Sequence, residues 1–480
     1  MKTRYSIICA AFALSPFVSK AQLKLANIFG DGMVLQQQAT VPVFGWDKAG
    51  TKVTVTSSWD KKSYSAVTDA SGRFVVKVVT PSYGGPYTVT ISDGKPITLT
   101  NVLIGDVWIC TGQSNMELPV KGYKGQPVYN SNEAILNSAN KNIHVFTVPH
   151  GSKTELQQDI KPSKWQEATP ESTSNFSATG YYFGRLLNKM LNIPIGLISD
   201  CYGGSSIQAW MDPEQLKAFP EIKIPAKTDS IKEVSRTPTT LYNAMLAPVI
   251  GYGIKGAIWY QGESNYDKPD QYQLLLESMV KTWRAQWGMG EFPFYFMQIA
   301  PYDYAQLPPY HKGGVYNSAF LRDAQRKEAD KIPNSGMAVL MDIGEQVTIH
   351  PPRKQQAGER LAYLALGKTY GVKGIAVSSP AYDAMTIKDN VATIKFKDCP
   401  NGLTSFFKEI TTFEIAGDDK HFFPAKATIN GSTVNVTSDQ VKKPVAVRYA
   451  FKDFVVGDLF GNDGLPVSSF RTDDWSYDVQ

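Results

Sequence analysis

The sequence predicts an α/β protein, with a central parallel-sheet domain flanked by N-terminal and C-terminal β-sandwich-like domains. Three observations carry this. Residues 22–105 alternate apolar and polar positions in short runs such as "TKVTVTSS", "GRFVVKVV" and "YTVTIS", split by turn signals such as "DASG" and "YGGP". From 106 to 372 apolar runs end in glycine-rich polar loops with helical segments between them, the pattern of a parallel sheet covered on both faces. Residues 373–480 return to β patterning in "VATIKFKD", "STVNVTS" and "AVRYAF". A chain of 480 residues is long enough for two or three such units.

Residues 1–21 read as a signal peptide: Lys2 and Arg4 make a basic start, "SIICAAFALSPFV" an apolar core, and "SKA" a small-residue cleavage site before Gln22. The apolar part is too short for an anchor, and no later run reaches the roughly 18 apolar residues of a membrane span. An exported protein, periplasmic or secreted and without a membrane anchor, is expected. Removing Lys2, Arg4 and Lys20, the leader's only charged residues, takes the formal charge from +5 to +2. No basic stripe remains to bind nucleic acid. Cys110, Cys201 and Cys399 are too few and too odd for a disulfide framework. The five histidines include no HExxH and no metal-spaced group, so neither metal nor cofactor is expected. Oligomeric state is not legible.

Within the central domain, Phe183, Leu187 and Leu191, with Tyr182, Leu186 and Met190, form two adjacent i,i+4 rows of a helix. "PPRKQQAGERLAYLALGKTYG" opens on proline, carries Leu361, Leu364 and Ala365 on one face and stops at Gly371, so it also reads as a helix. "VWICTGQSN", "IPIGLISDCYGGSS", "GAIWYQGESN", "FPFYFMQIAP" and "MAVLMDIGE" read as strands running into polar loops. "GYGIKG" matches GxGxxG but precedes a strand instead of following one, so its glycines are turn residues.

Ligand sites in open α/β sheets lie beyond the carboxyl ends of strands. Ser114, the "YGGSS" loop, the "QGESN" loop and the loop of His350 all fall there. A serine needs a base within hydrogen-bond reach to become a nucleophile, and His350 alone of the histidines sits in such a loop. Gly203 or Gly204 and Asn265 suit the donors that a developing oxyanion needs. Taken singly, each has a plainer reading as a turn or a helix cap; their convergence on one edge argues for chemistry.

In order, "GQSNME", "YGGSSIQAW", "WYQGESN" and "IHPPRKQQAGERLA" resemble the blocks of the SGNH hydrolase superfamily, and more closely those of the sialate O-acetylesterase family of carbohydrate esterases. The resemblance spans about Gly105 to Tyr370. It implies a three-layer α/β/α esterase domain with Ser114 as nucleophile, His350 as general base, and an oxyanion hole of Gly203 or Gly204, Asn265 and the Ser114 amide. The implied substrate is an O-acetylated carbohydrate, with sialic acid esters first and acetylated xylan or pectin fragments second; a carbohydrate-binding relative with weak catalysis is the alternative. Where the superfamily carries an aspartate shortly before the histidine, this chain has Val347 and Thr348. Glu263 is the first choice for the triad acid, because some carbohydrate esterases use the glutamate of a similar "QGE" loop. Asp342, Glu345 and a backbone carbonyl remain open.

Overall fold

The computed structural model of the protein describes residues 22–306 and 318–476; the expected leader, residues 1–21, lies outside them. Strands Thr40–Trp46 and Arg73–Val79 pair antiparallel, with Val43 opposite Val76. Val76 and Val78 are buried and Lys77 between them is exposed, the period-two burial that the alternating sequence calls for. Lys52–Ser57, Ser63–Val67 and Gly84–Ser92 form a second antiparallel set, which continues into strand β1, Pro96–Gly112.

β1 is 17 residues long. Its first half pairs antiparallel with Gly84–Ser92, and its second half lies between two parallel neighbours. The change of rhythm at residues 105 and 106 therefore falls inside one unbroken strand.

The large sheet continues through β2 (Asn140–Thr147), β3 (Gln166–Ala168), β4 (Ile195–Cys201), β5 (Gly256–Tyr260), β6 (Phe294–Met297) and β7 (Ser335–Ala338). The order is β3-β2-β4-β1-β5-β6-β7, parallel except for β3. With the antiparallel N-terminal strands attached, the sheet as a whole is mixed.

Five helices concern the site: α1 (Ser114–Glu117), α2 (Ala178–Leu191), α3 (Pro269–Trp287), α4 (Ala319–Lys331) and α5 (Lys354–Leu364). Successive strand residues point to opposite faces and enter two separate apolar clusters. Trp108, Cys110, Leu197, Ile258 and Tyr295 join Phe183 and Leu187 of α2 and Leu361 of α5. Ile109, Ile198, Trp259 and Phe294 join Leu275 and Met279 of α3 and Leu321 of α4. Burying each such side chain contributes about 1.5–3 kcal/mol before entropy is charged.

α2 begins where Ser177 Oγ accepts the Gly180 N–H at 2.9 Å, and ends at Asn192 in the left-handed region. Tyr182, Phe183 and Leu187 are buried as their rows require, but Met190 is 54% exposed. An i,i+4 row drifts about 40° per step around a helix of 3.6 residues per turn, so its last member leaves the packed face. α5 starts after Pro351 and Pro352 and passes into a wider turn over Ala365–Thr369 before Gly371.

The C-terminal residues form small antiparallel sheets. Ala381–Lys388, Val391–Lys397, Thr433–Thr437 and Lys426–Asn430 make one; Phe422–Pro424, Phe413–Ala416, Ala446–Tyr449 and Phe470–Arg471 make another. Arg322, buried in α4, donates to the Lys452 carbonyl and ties them to the central part. Cys110, Cys201 and Cys399 are buried and free. Among the described residues no helix is long and apolar enough to cross a membrane.

Candidate active site

β1 ends at Gly112, whose φ is +134° and where a Cβ would lie 2.2 Å from the Tyr260 carbonyl oxygen. Only glycine lets the strand turn this close to β5. Gln113 then leads into the single turn α1, its carbonyl accepting from the Met116 and Glu117 N–H groups at 2.8 and 3.0 Å. Its side-chain Oε1 accepts from the Ser264 N–H at 3.2 Å, joining the turn of Ser114 to the "QGESN" loop.

His350 arrives from the segment between β7 and α5. Its Nε2 is 2.7 Å from Ser114 Oγ, although the two lie 236 residues apart in the chain. Burial, helped by the Lys354 ammonium, pushes the imidazole pKa down to about 4, so the ring is neutral near pH 7. A neutral ring accepting the Ser114 hydroxyl proton at Nε2 carries its own proton on Nδ1. Among the described residues nothing accepts from Nδ1.

None of the carboxylates considered for the triad bonds to that nitrogen. Glu263 is buried nearby, but its Oε1 accepts from Asn115 Nδ2 at 2.5 Å and its Oε2 has no partner among the described residues. Its carboxyl pKa is raised by burial, with Asn115 and Lys354 opposing. Asp342 is held by Arg360 through two parallel bonds of 2.7 and 2.6 Å. Glu345 is half-buried and is not hydrogen-bonded to Nδ1 of the ring. Val347 is 78% exposed, and Thr348 Oγ1 accepts the His350 N–H at 3.3 Å.

Beyond β4, a Cβ built on Gly203 would stand 3.6 Å from Ser114 Cβ and 3.0 Å from Glu117 Oε2. Gly204 follows with φ +70°. Among the described residues the N–H groups of Ser114, Gly203 and Gly204 donate to no protein acceptor, so they are available to a ligand. Asn265 is engaged: its Oδ1 accepts from the Ile207 N–H (3.0 Å) and Gln261 Nε2 (2.8 Å), and its Nδ2 donates to Gln208 at 2.9 Å. One amide hydrogen is left to it.

Other residues at the site escaped the sequence reading. Asn115 and Lys354 are buried beside Glu263 and joined to each other. His150 Nε2 lies 2.8 Å from Glu117, which raises the ring's pKa, and His150 stacks on Tyr202 at 4.2 Å. Glu117, Lys121, Tyr123, His150, Asn175 and Ser199 line a polar pocket of about 220 Å³ alongside. Wider clefts of about 630 and 700 Å³ lie on other parts of the surface and hold none of these groups, so size does not select the site.

A hydroxyl against a neutral imidazole, with free N–H groups beside it at the carboxyl edge of a parallel sheet, can carry out acyl transfer. The fold and site thus suit a hydrolase that acts on esters. Residues 104–366 match the family described as carbohydrate esterase, sialic acid-specific acetylesterase, and the chain belongs to that family. It is similar to the sialate O-acetylesterase of Homo sapiens, 30% identical over 397 residues, covering 74% of this chain and 73% of the relative. The Mus musculus sialate O-acetylesterase is 28% identical over 421 residues, covering 74% and 75%. Among solved structures, a carbohydrate acetylesterase from Xanthomonas citri superposes with a TM-score of 0.85 at 32% identity, covering 95% of this chain and all of its own. The protein is an ester hydrolase.

Proposed function

We propose that the protein is exported and removes acetyl groups from O-acetylated carbohydrates, with Ser114 as nucleophile and His350 as base, on a three-layer α/β/α domain of the SGNH type. The observation that carries this is the 2.7 Å contact between Ser114 Oγ and Nε2 of the His350 ring. Ser114 Oγ attacks the acetyl carbonyl carbon and its proton passes to His350. The bond to the sugar oxygen breaks as His350 returns that proton to it, leaving the acetyl group on Ser114. Water then gives a proton to His350 and attacks the acyl carbon; the bond to Ser114 Oγ breaks as His350 returns that proton to it, and acetate leaves. The N–H groups of Ser114 and Gly203 or Gly204, with the remaining Asn265 N–H, face the oxyanion that develops.

Among the described residues no carboxylate bonds the His350 ring, which supports a Ser–His pair as the working unit. The His350 backbone is braced where the Ile349 carbonyl accepts from Asn115 Nδ2 at 3.0 Å. The pocket of Glu117, Tyr123 and His150 beside Ser114 has the hydroxyls, amide and aromatic edge that a single sugar ring needs.

The family and its mammalian relatives make an O-acetylated sialic acid the first candidate substrate. A second reading, favoured by the nearly full-length match to the bacterial carbohydrate acetylesterase, is another acetylated glycan such as a xylan or pectin fragment. Acetate release from a panel of acetylated sialic acids, xylans and pectins ranks them. Ser114→Ala should abolish release from every member, and a serine-directed organophosphonate should label Ser114 alone. Labelling at Ser205 or Ser264, or turnover surviving Ser114→Ala, removes Ser114 from its role.

A further inference from the structure

Lys354 opens α5 four residues after His350 and is 1% exposed. Lysine is almost never buried so completely unless its ammonium is paired. Here the Nζ donates to Asn115 Oδ1 and lies 5.3 Å from the centre of the Tyr260 ring. The same Asn115 amide donates through Nδ2 to Glu263 at 2.5 Å and to the Ile349 carbonyl at 3.0 Å. One side chain therefore joins the turn of Ser114, the loop after β5 and both flanks of His350. The Lys354 and Glu263 charges meet across it.

With Ser114 and His350 taken, as proposed above, as nucleophile and base, we infer that Lys354 is a positioning residue for His350. Through Asn115 it locks the His350 segment onto the turn of Ser114, and its ammonium opposes premature protonation of the imidazole. A lysine serving only to fill the core would need neither the shared asparagine nor a place beside the base.

The charged and titratable groups at this centre are few. At His350 the nearby charge is Lys354, and at Lys354 it is Glu263. Tyr260, Tyr272 and Tyr304 face Glu263, all kept protonated by burial. Asp342 is committed to Arg360. Burial brings the Lys354 pKa down to about 7 while Glu263 holds it up, so the pair sits close to the working range. Removing the ammonium relieves a like charge and eases formation of the imidazolium, whether Glu263 then stays ionised or takes a proton.

The test is the pH profile of kcat/KM for acetate release by the full chain, compared between wild type, Lys354→Met, Lys354→Gln and Lys354→Arg, with Ser114→Ala alongside. Lys354→Met should lower kcat by about tenfold to 10²-fold as the lock loosens, and move the acidic limb up by about one pH unit. Lys354→Gln keeps a donor for Asn115 in a shorter, neutral side chain. It should fold where the methionine does not, lose less kcat and show the same upward shift. Lys354→Arg keeps the charge and should leave the limb in place. A loss of kcat uniform in pH, with the limb unmoved in both neutral variants, overturns the inference. Turnover surviving Ser114→Ala would instead overturn the assignment of nucleophile and base beneath it.

Discussion

Gly203→Ala inserts one methyl group between the turn of Ser114 and the Glu117 carboxylate. The built Cβ lies 3.6 Å from Ser114 Cβ, ordinary contact, but only 3.0 Å from Glu117 Oε2. Glu117 has little room to yield, because its other oxygen is held at 2.8 Å by His150 Nε2, whose ring is stacked on Tyr202. The Glu117 carboxylate and the loop of Gly203 must part by a few tenths of an ångström. Overpacking of this kind costs about 1–3 kcal/mol in stability. With Gly203, not Gly204, as the proposed oxyanion donor, the shift also carries its N–H out of place, and losing one such donor lowers kcat by about 10²–10³. Measured by acetate release and thermal melting, Gly203→Ala should show a lower Tm and a lower kcat with KM nearly unchanged. Adding Glu117→Ala removes the clashing oxygen and should recover part of kcat. A Gly203→Ala enzyme with wild-type kcat refutes the placement of this amide at the oxyanion.

Two further outcomes test the same chemistry. Glu263→Gln should lower kcat by no more than about tenfold, because the carboxylate bonds Asn115 and not the His350 ring; the 10⁴-fold loss typical of a triad acid would restore Glu263 to that role. In the wild type, kcat/KM should stay level from pH 7 down to about 5 and halve near pH 4. The proposed base, His350, acts unprotonated, and burial brings its pKa down to about 4. An acidic limb above pH 6 would mean an imidazole far less shielded from water than this one.

The parts of this molecule written in periodicity were readable. The run "IGDVWIC" reads as a strand, and residues 106–110 lie inside β1, wholly buried. The row of Phe183 and Leu187 packs as a helical stripe. Ser114 and His350 could be paired on paper because strand ends converge on one edge, which is a matter of topology and not of side-chain direction. Direction is where the sequence falls silent. Nothing in "QGESN" says that Glu263 turns toward Asn115, or that the Asn265 carbonyl faces inward to Ile207. Asp342 looked available until its partner Arg360, 18 residues on, was seen beside it. Lys354 was hidden by its own chemistry: a lysine in the first turn of a helix reads as solvent-exposed, and only the assembled site shows an acceptor waiting for it inside. The break in rhythm at 105 and 106 looked like a border, because alternation gives way to continuous apolarity wherever a strand becomes covered on both faces.

That strand has a bearing on how the molecule comes apart. A chain cut at residue 105 would leave the central half of β1 without Val102, Leu103 and Ile104, all buried, and would turn the half that pairs with Gly84–Ser92 into a loose end. Neither the N-terminal strands nor the central sheet can release β1 while the other keeps it, so heat or denaturant should dissolve both in a single step. The serine at its far end is thus mounted on a beam clamped along its whole length, and whatever loosens the N-terminal sheet will be felt at Ser114.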